Sequence, residues 1–398
     1  MSEVSTSATS LLAVGFASAL LLWYGQRRRR TIWHPMSTWW NRRAALLRNS
    51  RLDQLLVITD FDATITTGDS VQCHDMLGVS ELMSPPFRQD FAPLLDWASN
   101  PDTDGVQWCV IAAHCLHSLS PHRFPPCAHA ILTTGIRYQP CIASRARGSF
   151  GSIAPHSGRS GSLAHGICRW DRAHELMIEH GQPPRHLIPR MVRETKMVPR
   201  PGALKLLARL AALDVPVLIV SAGLSDVIEE FLRQHNALTE NITVCSNRLN
   251  YGADSAPQSV SPDPPITSFT KDTAYRASST FFRQHSHRTT LIVIGDSCSD
   301  IDAATHVPHQ HSLSIGFLNG KEIHNDSAVK HLQTYDAIVL GHDGSLEPVD
   351  AVIDELASHD PTITTPVLTR MMKHVKAEER RSASKSANPL RTDGSRGD

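Results

Sequence analysis

The 398-residue chain has no excess of charge of either sign: 39 Lys and Arg stand against 39 Asp and Glu. That balance argues against a general nucleic-acid binder, which needs a basic surface. The eight cysteines include no C-x-x-C pair, which excludes a zinc-ribbon or dithiol redox signature. Reduced thiols in an intracellular catalytic domain are the expectation. One stretch, Cys109 to Arg169, lacks Asp, Glu and Lys altogether, although it holds Cys109, Cys115, Cys127, Cys141 and Cys168. Neither helical nor strand periodicity persists through it. Its cysteines are too widely spaced to form paired metal ligands, so a flexible insertion is the reading.

Long apolar runs are also scarce. Ala8 to Gly25 is mainly apolar, with Ser10 and Ser18 within it, and Arg27 to Arg30 follow at once. The run is just long enough to span a bilayer. With no Lys or Arg ahead of it, the positive-inside rule leaves the rest of the chain in the cytosol. Residues 1–30 are therefore expected to be a membrane anchor or targeting segment, a pattern that also suits a mitochondrial outer-membrane anchor. A buried helix in a cytoplasmic protein is the alternative. Residues 31–51, with Trp33, Trp39 and Trp40, read as a basic linker at the membrane interface. The tail 371–398 is polar and basic and reads as disordered.

The remaining sequence is organised around Val57 to Thr66. An apolar run, Leu55 to Ile58, reads as a buried strand and leads into Asp60 and Asp62, with Thr64 close behind. If the backbone stays extended, both carboxylates point the same way. Near a surface their repulsion is about 4 kcal/mol at a separation of about 4 Å. A divalent cation that prefers oxygen ligands, such as magnesium, is the simplest way to offset it. Thr64 reads as a turn-stabilising residue.

Further along, Val215 to Val220 and Leu291 to Ile294 are apolar runs that read as buried strands. They lead into Ser221-Ala222-Gly223 and Gly295-Asp296-Ser297. Helices are expected over Leu187–Arg193, Pro201–Leu213, Asp226–Gln234 and Thr273–Phe282, and another beginning at Asp300. Shorter strands are expected over Ile242–Ser246, Ser312–Gly316 and Ala337–Leu340, and Ala253–Pro265 reads as a loop. Apolar strands alternating with helices predict an α/β fold, a Rossmann-like parallel sheet with helices on both faces. In such sheets ligands bind at the carboxyl ends of the strands, where Asp60, Ser221 and Asp296 fall. Lys271 stands just before one of the predicted helices.

Four motifs, Asp60-Phe-Asp62-Ala-Thr64, Ser221, Lys271 and Gly295-Asp296-Ser-Cys-Ser-Asp300, together resemble the haloacid dehalogenase superfamily of phosphotransferases. More narrowly, Cys73-His74, Ser221-Ala-Gly-Leu-Ser-Asp226, Val244-Cys-Ser-Asn247 and Ile315-Gly-Phe-Leu-Asn319 resemble the pyrimidine 5'-nucleotidase family, cytosolic 5'-nucleotidase type III. The resemblance implies a catalytic core over 52–67 and 201–358, with a mainly helical cap over 68–200 inserted after the first strand. It implies that Asp60 is the nucleophile and Asp62 the acid and base. Ser221, Ala222 and Lys271 would hold the phosphate. Magnesium would sit on Asp60, the backbone carbonyl of Asp62, and Asp296, with Asp300 behind them orienting Lys271 or a metal-bound water. The implied activity is magnesium-dependent hydrolysis of a nucleoside 5'-monophosphate, a pyrimidine one above all. A phosphatase of another small phosphomonoester and a catalytically silent membrane-tethered binding protein are the alternatives. The partner is a small nucleotide, not a nucleic-acid polymer; neither the oligomeric state nor the preferred base follows.

The chain departs from the family pattern inside the cap. With 109–169 cut out, Val106-Gln107-Trp108 runs into Trp170-Asp171-Arg172-Ala173-His174, which resembles one continuous acidic-aromatic helix of the family. The segment therefore reads as a non-native insertion, either a retained intron or a true insert.

Overall fold

The computed structural model describes residues 32–99, 169–320 and 326–359. The expected anchor over 1–30, the tail over 371–398 and all of the expected insertion 109–169 except Arg169, which begins a helix, lie outside the described residues. No helix among the described residues is long and apolar enough to cross a membrane.

In chain order the elements are β1 (Ile32–Pro35), α1 (Ser37–Asn49), β2 (Leu55–Thr59), α2 (Cys73–Val79), α3 (Pro85–Ser99), α4 (Arg169–Glu179), α5 (Ile188–Glu194) and α6 (Ala203–Ala212). They continue with β3 (Val217–Leu224), α7 (Ser225–Gln234), β4 (Ile242–Tyr251), β5 (Pro257–Ser261), α8 (Ala274–Ala277), α9 (Ser279–Gln284) and β6 (Thr290–Gly295). Last come β7 (His311–Leu318), α10 (Asp326–Thr334), β8 (Ala337–Leu340) and α11 (Glu347–His359).

The eight strands among the described residues form one sheet in the order β1-β8-β7-β6-β2-β3-β4-β5. The six inner strands run parallel, and β1 and β5 pair antiparallel at the two edges. The non-sequential order puts the carboxyl ends of β2, β3 and β6 side by side. That is the α/β architecture expected from the apolar runs.

Burial on both faces explains why β2 reads as an unbroken apolar run. Leu55, Leu56, Val57 and Ile58 are each at most 1% exposed. Leu56 and Ile58 share a core cluster with Leu218, Val220, Leu291 and Val293, covered by Phe281 and Phe282 of α9. Helix α7 packs on β3, β4 and α5, and α1 packs on β7.

Four expectations differ from the structure. Residues 32–49, read as a linker, form β1 and α1. Their basic, Trp-containing composition hid an amphipathic helix that buries Trp39 and Leu46. The expected loop after Gly252 contains β5, which pairs with the second half of β4; its Pro and Ser content is tolerated because it is an edge strand. The helix expected over 273–282 is broken in two at Ser278, and the one at Asp300 is a 3-10 helix spanning Cys298–Ala304.

The described residues fall into two units, one within 1–91 and 174–398, the other within 92–173. The sheet and every candidate site residue belong to the first unit. In the second, Arg169 Nε donates to the carbonyl of Leu94.

Candidate active site

The backbone does not stay extended after β2. It turns sharply at Phe61, whose carbonyl accepts the amides of Thr64, Ile65 and Thr66. Asp60 and Asp62 therefore do not share one strand face, as their spacing alone predicted. The Asp60 amide continues the sheet by donating to Ile294 O, which fixes its position beside β6. The Asp62 carboxylate accepts the amide of Cys73 at the start of α2 at 3.0 Å.

Asp60 is 7% exposed, and its Oδ1 lies 2.7 Å from Lys271 Nζ. The same ammonium lies 2.6 Å from Asp300 Oδ1. Lys271, only 4% exposed, thus bridges two buried carboxylates. Burial alone would lower the Lys271 pKa, but Asp300 and Asp60 outweigh it and push the pKa well above the ordinary lysine value. The ammonium stays charged.

Asp300 has a second task. Its Oδ2 accepts the amides of Asp296 at 2.9 Å and Ser297 at 2.8 Å. Gly295 is required for this: a Cβ there would meet Asp300 Oδ2 at 2.2 Å. The Gly-Asp-Ser-x-x-Asp spacing is therefore a close-approach turn in which the last carboxylate folds back onto the first residues. From the other side, His331 of α10 donates to the Asp296 carbonyl at 2.7 Å, and Tyr335 Oη donates to that of Ser297 at 2.5 Å.

One oxygen from each of Asp60, Asp296 and Asp300 lies within 4.8 Å of the others. Three carboxylates face one ammonium, so the cluster carries excess negative charge. The donors are all hard oxygens, the set that magnesium prefers. Asp300 is already engaged by Lys271 and two amides, which leaves Asp60 and Asp296 as the side chains able to hold a cation. Thr64 does more than stabilise the turn: its hydroxyl reaches Asp296 Oδ1 at 3.3 Å.

Burial raises the Asp60 carboxyl to about 6 against the pull of Lys271. Asp62 is raised to about 7, by burial first and by the Asp60 charge second. A carboxyl poised near neutrality can exchange protons in both directions at physiological pH.

Ser221 is buried within β3 where the pairing with β4 shifts register between Val220 and Leu224. Its hydroxyl accepts the Gly223 amide at 3.0 Å. Asn247, quoted in the family-like stretch but given no role from sequence, ties this end of β3 to the approach to Lys271. Its Nδ2 donates to Ala222 O and Ile266 O, and its Oδ1 accepts the Ile266 amide, each at 2.8 Å.

Sequence reasoning also missed Arg200. This side chain is 1% exposed and donates to Thr64 O, His342 O, Gly344 O, Ala63 O and Asn319 Oδ1. No periodicity marks it. An arginine directly before Pro201-Gly202 at the start of an apolar helix was the available signal.

Against this geometry, the sequence model for "Pyrimidine 5'-nucleotidase (UMPH-1)" matches residues 152–357, just over half of the chain. The chain belongs to the pyrimidine 5'-nucleotidase family. It is 35% identical over 189 residues to a 7-methylguanosine phosphate-specific 5'-nucleotidase of Gallus gallus, covering 46% of this chain and 62% of that protein. With the Homo sapiens protein of the same name it shares 30% identity over 205 residues, covering 51% and 67%. The chain thus spans under two thirds of the length of the Gallus gallus relative. Its fold is similar to that of cytosolic 5'-nucleotidase IIIB bound to cytidine, with a TM-score of 0.58 and 20% identity over 82% of this chain and 94% of that one.

Proposed function

We propose that this pyrimidine 5'-nucleotidase family member hydrolyses nucleoside 5'-monophosphates to nucleoside and phosphate, with Asp60 as the nucleophile. The observation that carries the reading is the Lys271 ammonium held between Asp60 and Asp300 beside Asp296. A carboxylate attacking a phosphate dianion meets strong repulsion, and a buried fixed cation within contact of the nucleophile is what that attack needs.

In this reading Asp60 Oδ2 attacks phosphorus while Lys271 holds Oδ1, so one oxygen is committed to positioning and the other is available for bond formation. Asp62, with its carboxyl near 7, donates a proton to the leaving 5'-oxygen and then takes one from the water that cleaves the aspartyl-phosphate. Ser221 Oγ and the Ala222 amide bind phosphoryl oxygens. Asp60, Asp296 and the Asp62 carbonyl would hold magnesium, which supplies positive charge to the phosphoryl group when bound.

Substrate class rests on family membership. The family's name points to pyrimidine nucleotides, and the names of the curated relatives point to 7-methylguanosine monophosphate. Phosphate release from a panel of both, with purine nucleotides and sugar phosphates alongside, with and without magnesium, tests the proposal. Magnesium-dependent release from one or more nucleotides is expected. Release only from sugar phosphates would transfer the chemistry to another phosphomonoester, and no release at all would favour a silent binding protein.

A further inference from the structure

The turn after β2 contains a backbone outlier. Ala63 adopts φ 58, a left-handed conformation that costs energy for any residue with a side chain. It lies between the two aspartates of the first motif and Thr64, so its conformation sets how Asp60, Asp62 and Thr64 are splayed. Two side chains hold it there: Arg200 Nη2 and Asn319 Nδ2 both donate to its carbonyl, the latter at 3.3 Å.

Arg200 does more than grip one carbonyl. Its Nε donates to Thr64 O at 2.8 Å, its Nη1 to Gly344 O at 2.9 Å and His342 O at 3.2 Å, and its Nη2 to Asn319 Oδ1 at 3.0 Å. The five N–H groups of the guanidinium thus meet five acceptors, and its plane lies over the Phe317 ring, 3.9 Å from the centroid. The acceptors come from three places: the turn after β2, the end of β7 and the segment after β8. Backbone bonds lace the same pieces together. The Arg200 amide donates to Ile65 O at 2.8 Å, Thr66 bridges Pro199, and the Gly68 amide donates to His342 O at 2.9 Å.

None of the five acceptors is a carboxylate. A buried cation met only by neutral oxygens is costly, and burial pulls its pKa down to about 10, against the opposing charges of Asp296, Asp343 and Asp69. An ordinary packing role would be met more cheaply by an apolar side chain. A rigid planar fork that fixes two backbone segments and the Asn319 side chain at once is what arginine alone provides.

We infer that Arg200 is a positioning residue: through the Ala63 and Thr64 carbonyls it locks the strained turn that aims Asp60 and brings the Thr64 hydroxyl to Asp296. The inference rests on the proposed hydrolysis for its kinetic consequence but not for its structural one. Asn319 acts with it, accepting from Arg200 and donating to the carbonyl of Ala63.

The test uses the full chain and three variants. Arg200→Lys keeps the charge but not the fork, so kcat for the best nucleotide should fall about a hundredfold, the scale of a misplaced reacting group, while KM stays within about threefold. Adding Ala63→Gly, which reaches the left-handed conformation freely, should recover about tenfold of the loss. Amide exchange of the metal-free protein is the second readout. In Arg200→Lys it should rise at residues 63–68 and 341–344 and not across the sheet. Should Arg200→Lys fail to fold, Asn319→Ala carries the test, with a kcat loss of about tenfold and the same local exchange pattern. An unchanged kcat, no recovery on adding Ala63→Gly, or exchange rising evenly over the whole sheet would overturn the inference. Should the wild-type chain release no phosphate from any nucleotide, the functional proposal fails, and the exchange pattern alone still decides whether Arg200 holds the turn.

Discussion

Among the described residues the two buried cations, Lys271 and Arg200, sit in opposite surroundings. Lys271 is clamped by two carboxylates, Asp60 and Asp300, and its pKa rises. Arg200 is surrounded by carbonyls and an amide oxygen, and its pKa falls. The contrast separates two uses of positive charge. At Lys271 the charge itself matters, because it neutralises the group proposed to attack a dianion. At Arg200 the shape matters, because five fixed donors fasten two backbone segments and the Asn319 side chain.

Breaking the first arrangement should have the larger effect. Lys271→Met keeps most of the volume but leaves Asp60 and Asp300 buried without their cation. Turnover should fall by about three orders of magnitude, in line with losing an electrostatic contact to the reacting groups. The metal-free protein should lose about 3–5 kcal/mol by urea unfolding, the scale of orphaning a buried pair. Magnesium should restore part of that stability, since a bound cation replaces some of the missing charge. A variant as stable as wild type would show that the carboxylates are protonated rather than paired. Arg200→Lys sharpens the comparison, because its expected hundredfold loss occurs with charge conserved.

The smallest effect concerns proton uptake beside Lys271. Asp62 and Asp60 are raised to about 7 and about 6 by burial. A carboxyl whose folded pKa exceeds its unfolded value holds its proton longer in the folded state. Its contribution is therefore favourable at low pH and is lost as pH rises from about 4 through about 7. The metal-free protein should melt at a lower temperature at pH 7 than at pH 5 as far as these groups are concerned, and Asp62→Asn should flatten that slope. Parallel wild-type and variant slopes would contradict the raised Asp62 value.

Legibility in the sequence followed the same division. Strands β2, β3 and β6 were readable because burial on both faces leaves unbroken apolar runs, and the residues at their carboxyl ends could be named. Lys271 was placed only through family resemblance, since nothing in its spacing requires it to reach Asp60, 211 positions earlier in the chain. Arg200 was not found at all. Four of its five acceptors are backbone carbonyls, of residues 63, 64, 342 and 344, and a carbonyl acceptor leaves no trace in side-chain identity. A turn near Thr64 was expected, but not the left-handed conformation of Ala63, because alanine gives no sign of a positive φ. Helix α1 was missed because its arginines and tryptophans imitate a membrane-interface linker, although Trp39 and Leu46 are core residues.

Asp60 is the residue proposed to carry the phosphoryl group. The direct measurement is rapid quench of the magnesium-loaded protein with a nucleoside 5'-monophosphate labelled in its phosphate, followed by mapping of protein-bound label. Label is expected on Asp60, formed no slower than turnover, and none in a folded Asp60→Asn variant, whose turnover falls by several orders of magnitude. Near-normal phosphate release by Asp60→Asn, or wild-type turnover with no covalent label at any time, would contradict it.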